Sequence, residues 1–162
     1  ASEYASQHGL EGKKVIVLGA GGAAKAAVYG LLQLKMIPII FNRTVGKAVE
    51  VADQFSTRSN PIKAYAIEDL NKNFEDAEII INCTSIGFGK DEKIIPDDVF
   101  SHIKLSLDAV YSHKPTIFQL QSQKAGAETL TGLEWLLNQG YEAFKLWTGR
   151  RAPKEAMKKS LR

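Results

Sequence analysis

The sequence holds a single cysteine, Cys83, among its 162 residues. One thiol closes no internal disulfide and builds no multi-cysteine zinc site, which excludes the usual staples of small secreted domains. No apolar run approaches the ~20 residues that a membrane-spanning helix requires. The opening stretch, Ala1 to Leu10, lacks the basic segment and long apolar core of a secretory signal. Internal repeats and low-complexity segments are missing as well. The composition is also unlike that of a disordered chain, with 44% hydrophobic and 24% charged residues spread along its length. At ~100–200 residues per domain the chain is one domain, and at this size roughly 68–70% of the unfolded surface is buried on folding. The expectation is a soluble, reduced, cytoplasmic domain.

The formal net charge of +3 is unevenly spread. Between Lys145 and Arg162 stand seven basic residues and one acid, Glu155, so the rest of the chain is net acidic. Clustered basic charge attracts phosphate. Yet no aromatic follows Trp147 to stack on bases. A solvated or interdomain helix is the better reading, and no nucleic-acid partner is expected.

Two kinds of segment alternate. Lys13–Gly19, Met36–Asn42, Ile62–Ala66, Ala77–Asn82, Leu105–Val110 and Ala127–Leu130 are short apolar or β-branched runs that read as strands. Between and after them, Gly21–Lys35, Thr44–Phe55, a weak turn through Leu70, Thr116–Ala125 and Leu133–Trp147 read as helices, with Thr44 placed as a cap. Pro38 stands near a strand start, where its missing N–H is tolerated. Gly149 ends the long helix, and Pro153 opens a last one to about Leu161. Strand–helix alternation with near-continuous apolar strands predicts an α/β fold, a Rossmann-like doubly wound parallel sheet of about six strands with helices on both faces. Ligands of such sheets bind beyond the carboxyl ends of the strands, so the residues just after each strand carry the functional argument.

After the first strand, Gly19-Ala20-Gly21-Gly22-Ala23-Ala24 fits G-x-G-x-x-A at a strand-to-helix turn. The first glycine permits the tight turn, the second lets a pyrophosphate approach the backbone, and Ala24 allows close helix–sheet packing. The exposed N–H groups and dipole of the helix favour the same anion. A dinucleotide site follows. Which dinucleotide is decided after the second strand, where an NAD site carries a carboxylate for the ribose hydroxyls. Here the strand ends in Asn42-Arg43-Thr44, followed by Lys47. Arg43 offers a planar fork for phosphate, Lys47 a point charge, and Thr44 a hydroxyl at a helix N-terminus. That set selects NADP over NAD.

Read together, these residues resemble the C-terminal NADP-binding domain of shikimate dehydrogenase, from about Glu11 to Pro153. Asn82-Cys83-Thr84-Ser85-Ile86-Gly87 resembles the family's N-x-T-x-x-G segment, Asp108-Ala109-Val110-Tyr111 its D-x-x-Y, Gly132 and Gln139 its G-x-x-x-x-x-x-Q, and Trp147-Thr148-Gly149 its W-x-G. The resemblance implies that Thr84 and Ser85 lie at the nicotinamide ribose, that Ala109 and Gly132 approach the nicotinamide, and that Tyr111 and Gln139 contact shikimate. Three departures bear on substrate choice. His113 stands where the family often has proline, Glu134 and Trp135 replace a small residue and methionine, and Ala109 is smaller than the methionine often found there.

The family reduces the 3-carbonyl of dehydroshikimate with NADPH, a step in aromatic amino-acid biosynthesis, and a Lys–Asp pair positions substrate and handles the proton. Both members of that pair precede the dinucleotide domain, the Asp in an N-T-D segment. Here only Ala1–Gly12 precedes the first strand, with Glu3 and Glu11 as its acids. His8, His102 and His113 are scattered, Asp108 is better placed to bond backbone, and Cys83 reads as a small buried apolar residue. The expectation is no catalytic residue and no metal, with residues 1–12 a linker remnant, 13–150 the NADP-binding domain and 151–162 a basic helix returning toward an absent substrate domain. The chain should bind NADP(H) without turnover, its substrate shikimate or dehydroshikimate being held jointly with that domain. A quinate dehydrogenase and a non-catalytic NADP-binding module remain alternatives, and a second copy of the chain is a candidate partner.

Overall fold

The computed structural model describes residues 9–74, 76–86 and 92–161. Part of the predicted linker, with Glu3 and His8, and also Gly87 and Arg162, lie outside the described residues. The six apolar runs form six strands, β1 (Lys14–Leu18), β2 (Ile37–Asn42), β3 (Lys63–Ala66), β4 (Ile79–Asn82), β5 (Leu105–Asp108) and β6 (Glu128–Leu130). They pair in parallel throughout, in the order β3-β2-β1-β4-β5-β6. The chain works outward from β1 to β3, then returns to lay β4 on the other side of β1. The switch point therefore falls between β1 and β4.

Six α-helices connect or follow the strands: α1 (Gly22–Gln33), α2 (Val45–Phe55), α3 (Leu70–Asn73), α4 (Ile117–Lys124), α5 (Gly132–Thr148) and α6 (Lys154–Lys159). A 3₁₀ turn at Ile67–Asp69 leads into α3, and a second 3₁₀ helix spans Asp97–His102. Strand residues alternate between two apolar layers. On one face Val15, Val17, Ile40 and Ile81 pack against Ala24, Val28, Ala48 and Val51 of α1 and α2, with Trp135 of α5 at the margin. On the other, Ile16, Leu18, Phe41 and Ile80 pack against Leu70, Phe100 and Phe118. Both faces are covered, which is why the strands carry almost no polar alternation. Phe41 is fully buried and stacks on Tyr65 at 5.5 Å, so truncating it to Ala should cost about 3–5 kcal/mol.

Pro38 fits for a reason the pairing makes plain. Ile37 donates its N–H to Lys13, just before β1, so the next residue's nitrogen faces the β3 side. Pairing with β3 begins only at Ile39 with Lys63, and no ladder bond is lost. At the other end of the chain Gly149 closes α5 with φ of 66°, and α6 folds back on that helix. Lys154 lies 5.0 Å over the Tyr141 ring, and a methyl added to Gly140 would meet Met157 at 3.1 Å. The basic residues between Lys154 and Lys159 thus lie on a short helix packed in cis on α5. No helix among the described residues is long and apolar enough to cross a membrane.

Candidate functional site

A cleft of about 750 Å³ opens across the carboxyl ends of β1, β2 and β4. Its walls are the residues that follow those strands. Gly19, Ala20 and Gly21 come from the turn after β1, and Asn42, Arg43, Thr44 and Lys47 from the β2–α2 junction. Cys83, Thr84, Ser85 and Ile86 come from the turn after β4.

The glycine turn is shaped by backbone contact. Gly19 adopts φ of 105°, and a Cβ built there would stand 2.9 Å from the Cys83 carbonyl oxygen. Its N–H is taken by the Phe41 carbonyl at 2.7 Å, so the turn is fastened to both neighbouring strands. Gly21, by contrast, has nothing within 4 Å of a Cβ. That open space is where a ligand's phosphate can reach the main chain. Gly22 and Ala23 form the first turn of α1 just behind this lining, and Ala24 is fully buried against the sheet.

Helix starts differ: α4 and α5 are capped by side chains, whereas α1, α2, α3 and α6 have no side-chain cap. The first N–H groups of an α-helix have no partner within it. In α4, Thr116 accepts the Gln119 N–H at 3.2 Å, and in α5 Glu134 reaches back to the Thr131 N–H at 3.0 Å. The substituted Glu134 therefore acts as a capping residue. α1 and α2, which both begin at the cleft, have no side-chain cap and no acid in the first turn. Thr44 does occupy the N-cap position of α2, yet the cap bond expected of its hydroxyl is not made. Asn42 binds the Thr44 carbonyl at 2.9 Å instead, holding the backbone while the hydroxyl stays with the cleft. Arg43 and Lys47 are exposed, and neither has an ion-pair partner among the described residues. The cleft thus gathers two uncapped helix starts and two free cations, a donor set suited to phosphate groups.

The β4 side is built differently. Asn82 accepts from both the N–H and the hydroxyl of Thr84, at 3.0 and 2.8 Å, and Thr84 accepts the Ile86 N–H at 3.2 Å. Beneath this turn Asn82 donates to Asp108 at 2.8 Å. Burial pushes the Asp108 carboxyl above the ordinary aspartate range, against the pull of donors from Thr116, Val110, Asn82 and Gln119. It does bond backbone, at Val110 N–H, and three side chains besides. Cys83 is a buried thiol whose pKa is pushed up to about 12 by desolvation and then by the Asp108 charge, which leaves no nucleophile there.

The remaining predicted residues lie outside the lining of this cleft. Ala109 is half-buried, Tyr111 sends its hydroxyl 3.5 Å to the Leu161 carbonyl, and Gln139 is exposed on α5. Gly132 is buried, and a Cβ on it would fall 2.1 Å from the Val110 carbonyl oxygen. Its missing side chain is needed for α5 to reach β5, whatever ligand is present. Four wall residues were not expected there from the sequence: Ile67, Cys83, Ile86 and Glu92. Ile67 follows β3 directly, so the rule that searched the ends of the other strands would have found it.

Two family models match. Shikimate / quinate 5-dehydrogenase matches residues 2–102, and the shikimate 5'-dehydrogenase C-terminal domain matches residues 132–162. A shikimate dehydrogenase (NADP(+)) of Methanocella arvoryzae is 35% identical over 154 residues, 94% of this chain and 57% of that protein. The crystal structure of shikimate dehydrogenase from Aquifex aeolicus aligns with TM-score 0.79 and 31% identity, over 94% of this chain and 55% of that one. The Thermus thermophilus enzyme, crystallised with NADP(H) and shikimate, aligns with TM-score 0.80 and 28% identity over 98% and 58%. The chain spans about half the length of the curated relatives it matches.

Proposed function

The chain belongs to the shikimate / quinate 5-dehydrogenase family, and from that premise we propose that its cleft holds NADP(H) for the reversible reduction of 3-dehydroshikimate to shikimate in aromatic amino-acid biosynthesis. The observation that carries this reading is the pairing of two uncapped helix N-termini with the unpartnered Arg43 and Lys47 on one cleft. In it, the backbone of Gly19, Ala20 and Gly21 and the first N–H groups of α1, from Gly22 and Ala23, bind the diphosphate. Arg43 and Lys47, with the Thr44 hydroxyl, bind the extra phosphate on the adenosine ribose, and Asn42 fixes the backbone between them. Thr84 and Ser85 take the nicotinamide ribose. Ala109 and Gly132 border the nicotinamide ring beyond, and Tyr111 and Gln139 lie on the side where the six-membered substrate would meet it.

When bound, NADPH supplies the hydride for the substrate carbonyl. The chain's own part is to orient it. Uncharged walls at Thr84 and Ser85 leave the nicotinamide end without a fixed countercharge, while the cations lie at the adenosine end. Among the described residues lining the cleft, Cys83 is held protonated, Arg43 and Lys47 belong to the phosphates, and Glu92 is the one carboxylate, so the lining holds no Lys–Asp pair for the reacting carbonyl. On this reading these residues bind cofactor, and the proton is handled by groups outside the described cleft, which gives the 162-residue chain binding without turnover.

The test is calorimetric titration of the chain with NADP+ and NAD+. The reading expects NADP+ to bind about tenfold tighter or more, one charge-assisted phosphate contact being worth ~1.5–3 kcal/mol. Equal affinities would remove NADP, and no binding of either would remove the dinucleotide.

A further inference from the structure

Asn82 and Asp108 end adjacent parallel strands and are register partners, so both side chains leave the sheet on the same face. Each is completely buried. The Asp108 carboxylate meets four donors. One oxygen takes Asn82 Nδ2 at 2.8 Å and Val110 N–H at 3.1 Å, and the other takes Thr116 Oγ1 at 2.5 Å and Gln119 Nε2 at 3.1 Å. Four donors fill the acceptor capacity of an ionised carboxylate, and the N-terminus of α4 beside it adds a favourable dipole. This arrangement also fixes the orientation of the Asn82 amide. Its NH₂ must face Asp108, so its oxygen faces the cleft side and accepts the two Thr84 donors.

The same carboxylate therefore governs two turns at once, the one after β4 and the one after β5. The cleft's other half takes no bond from this carboxylate: Gly19, Arg43 and Lys47 hang from β1 and β2, and meet the β4 turn only where Gly19 packs on the Cys83 backbone. A dinucleotide with its diphosphate on the Gly19 turn and its adenosine phosphate at Arg43 must lay its other half over β4, which lies on the opposite side of β1 from β2.

We propose that Asn82 and Asp108 are positioning residues: a buried amide–carboxylate pair that sets the Thr84–Ile86 turn against the Val110–Tyr111 backbone and so shapes the nicotinamide half of the cleft alone. The proposal rests on the NADP reading above. Neither side chain touches the cofactor; each acts through Thr84 or through the main chain after β5.

The experiment titrates the 162-residue chain and its variants with two probes, NADP+ and adenosine 2′,5′-bisphosphate, which lacks the nicotinamide half. Asp108→Asn replaces an acceptor oxygen with a donor that faces two donors. It and Asn82→Ala should weaken NADP+ by about tenfold, the effect of one lost bond to a charged group, with the bisphosphate unchanged. Gln119→Met removes one donor from a residue that does not line the cleft, and should give a smaller loss confined to NADP+. That variant decides the matter if the other two fail to fold. Equal losses on both probes, or a folded Asp108→Asn that binds NADP+ like the parent, would overturn the positioning role. Parent chain that binds NADP+ but not the bisphosphate would instead strike the NADP reading on which the proposal stands.

Discussion

Gly19 and Cys83 pack backbone against backbone: a single carbon added to Gly19 would stand 2.9 Å from the Cys83 carbonyl oxygen. The turn proposed to hold the diphosphate thus meets the turn that carries Thr84 backbone to backbone. Two glycines two positions apart, Gly19 and Gly21, consequently have separate duties, and substitution should split them. Gly19→Ala forces a positive φ and a main-chain clash, and should lower stability by about 1–3 kcal/mol in urea unfolding. Gly21→Val meets no protein atom near its Cβ. It should keep the melting temperature within a degree or two of the parent while losing both NADP+ and NAD+. A stable Gly19→Ala, or a Gly21→Val that still binds, would contradict the division.

Arg43→Asp reverses the partner proposed for the adenosine phosphate. NADP+ affinity should fall about 10- to 100-fold with NAD+ changed by far less, on the basis that a bond to a charged group is worth ~1.5–3 kcal/mol. Calorimetry at one ionic strength measures both. Parallel losses would mean that Arg43 supports the fold or the shared half of the ligand.

Glu78 lies at the opposite end of the sheet, where Lys104 and then Lys13 hold its carboxyl below the ordinary 4.5. A carboxyl held down in the folded chain stabilises it above the unfolded pKa and loses that contribution as pH falls through the folded value. The melting temperature of the parent should therefore drop with falling pH below 4.5, and Glu78→Gln should flatten part of that drop. The difference should shrink in high salt, because the pair is exposed. Superimposable pH profiles would leave the triad without thermodynamic effect.

Cys83 should behave as an inert thiol. With a pKa pushed up to about 12, its thiolate is scarce at neutral pH, and the thiolate is the species that attacks a disulfide reagent. Ellman's reagent should titrate it rapidly in denaturant and very slowly in the folded chain. Fast reaction under native conditions would mean that the β4 turn opens readily.

The architecture was legible because its signals are local. Val15 to Leu18 is a continuous apolar run, Pro38 stands where no ladder bond is lost, and Gly149 ends α5 at a positive φ. The 3₁₀ helix at Asp97–His102 carried no such signal, since Asp97 and Asp98 at its start are as common in turns as in helices. That Gly19–Gly21 and Arg43–Lys47 share one cleft was equally legible, because each short stretch follows a strand of a parallel sheet. The rest depends on contacts distant in sequence. Asp108 meets Asn82 across 26 positions and Gln119 across 11, and nothing local to any of them announces the network. Gly132 could be read as a residue that makes room, but not as making room for Val110. Thr44 shows the converse failure, a residue with cap chemistry in the cap position whose hydroxyl makes no cap bond.

The bare starts of α1 and α2 carry a consequence for folding itself. Thr116 and Glu134 finish α4 and α5; at the two helices that begin at the cleft the chain supplies no side-chain cap. With the cleft filled as proposed, the diphosphate and the adenosine phosphate become caps delivered from solution. Cofactor concentration is then a folding variable, adding about 2.7 kcal/mol to stability at a hundred times the dissociation constant. On that reading stability falls with each drop in cofactor concentration while the cleft is still nearly full.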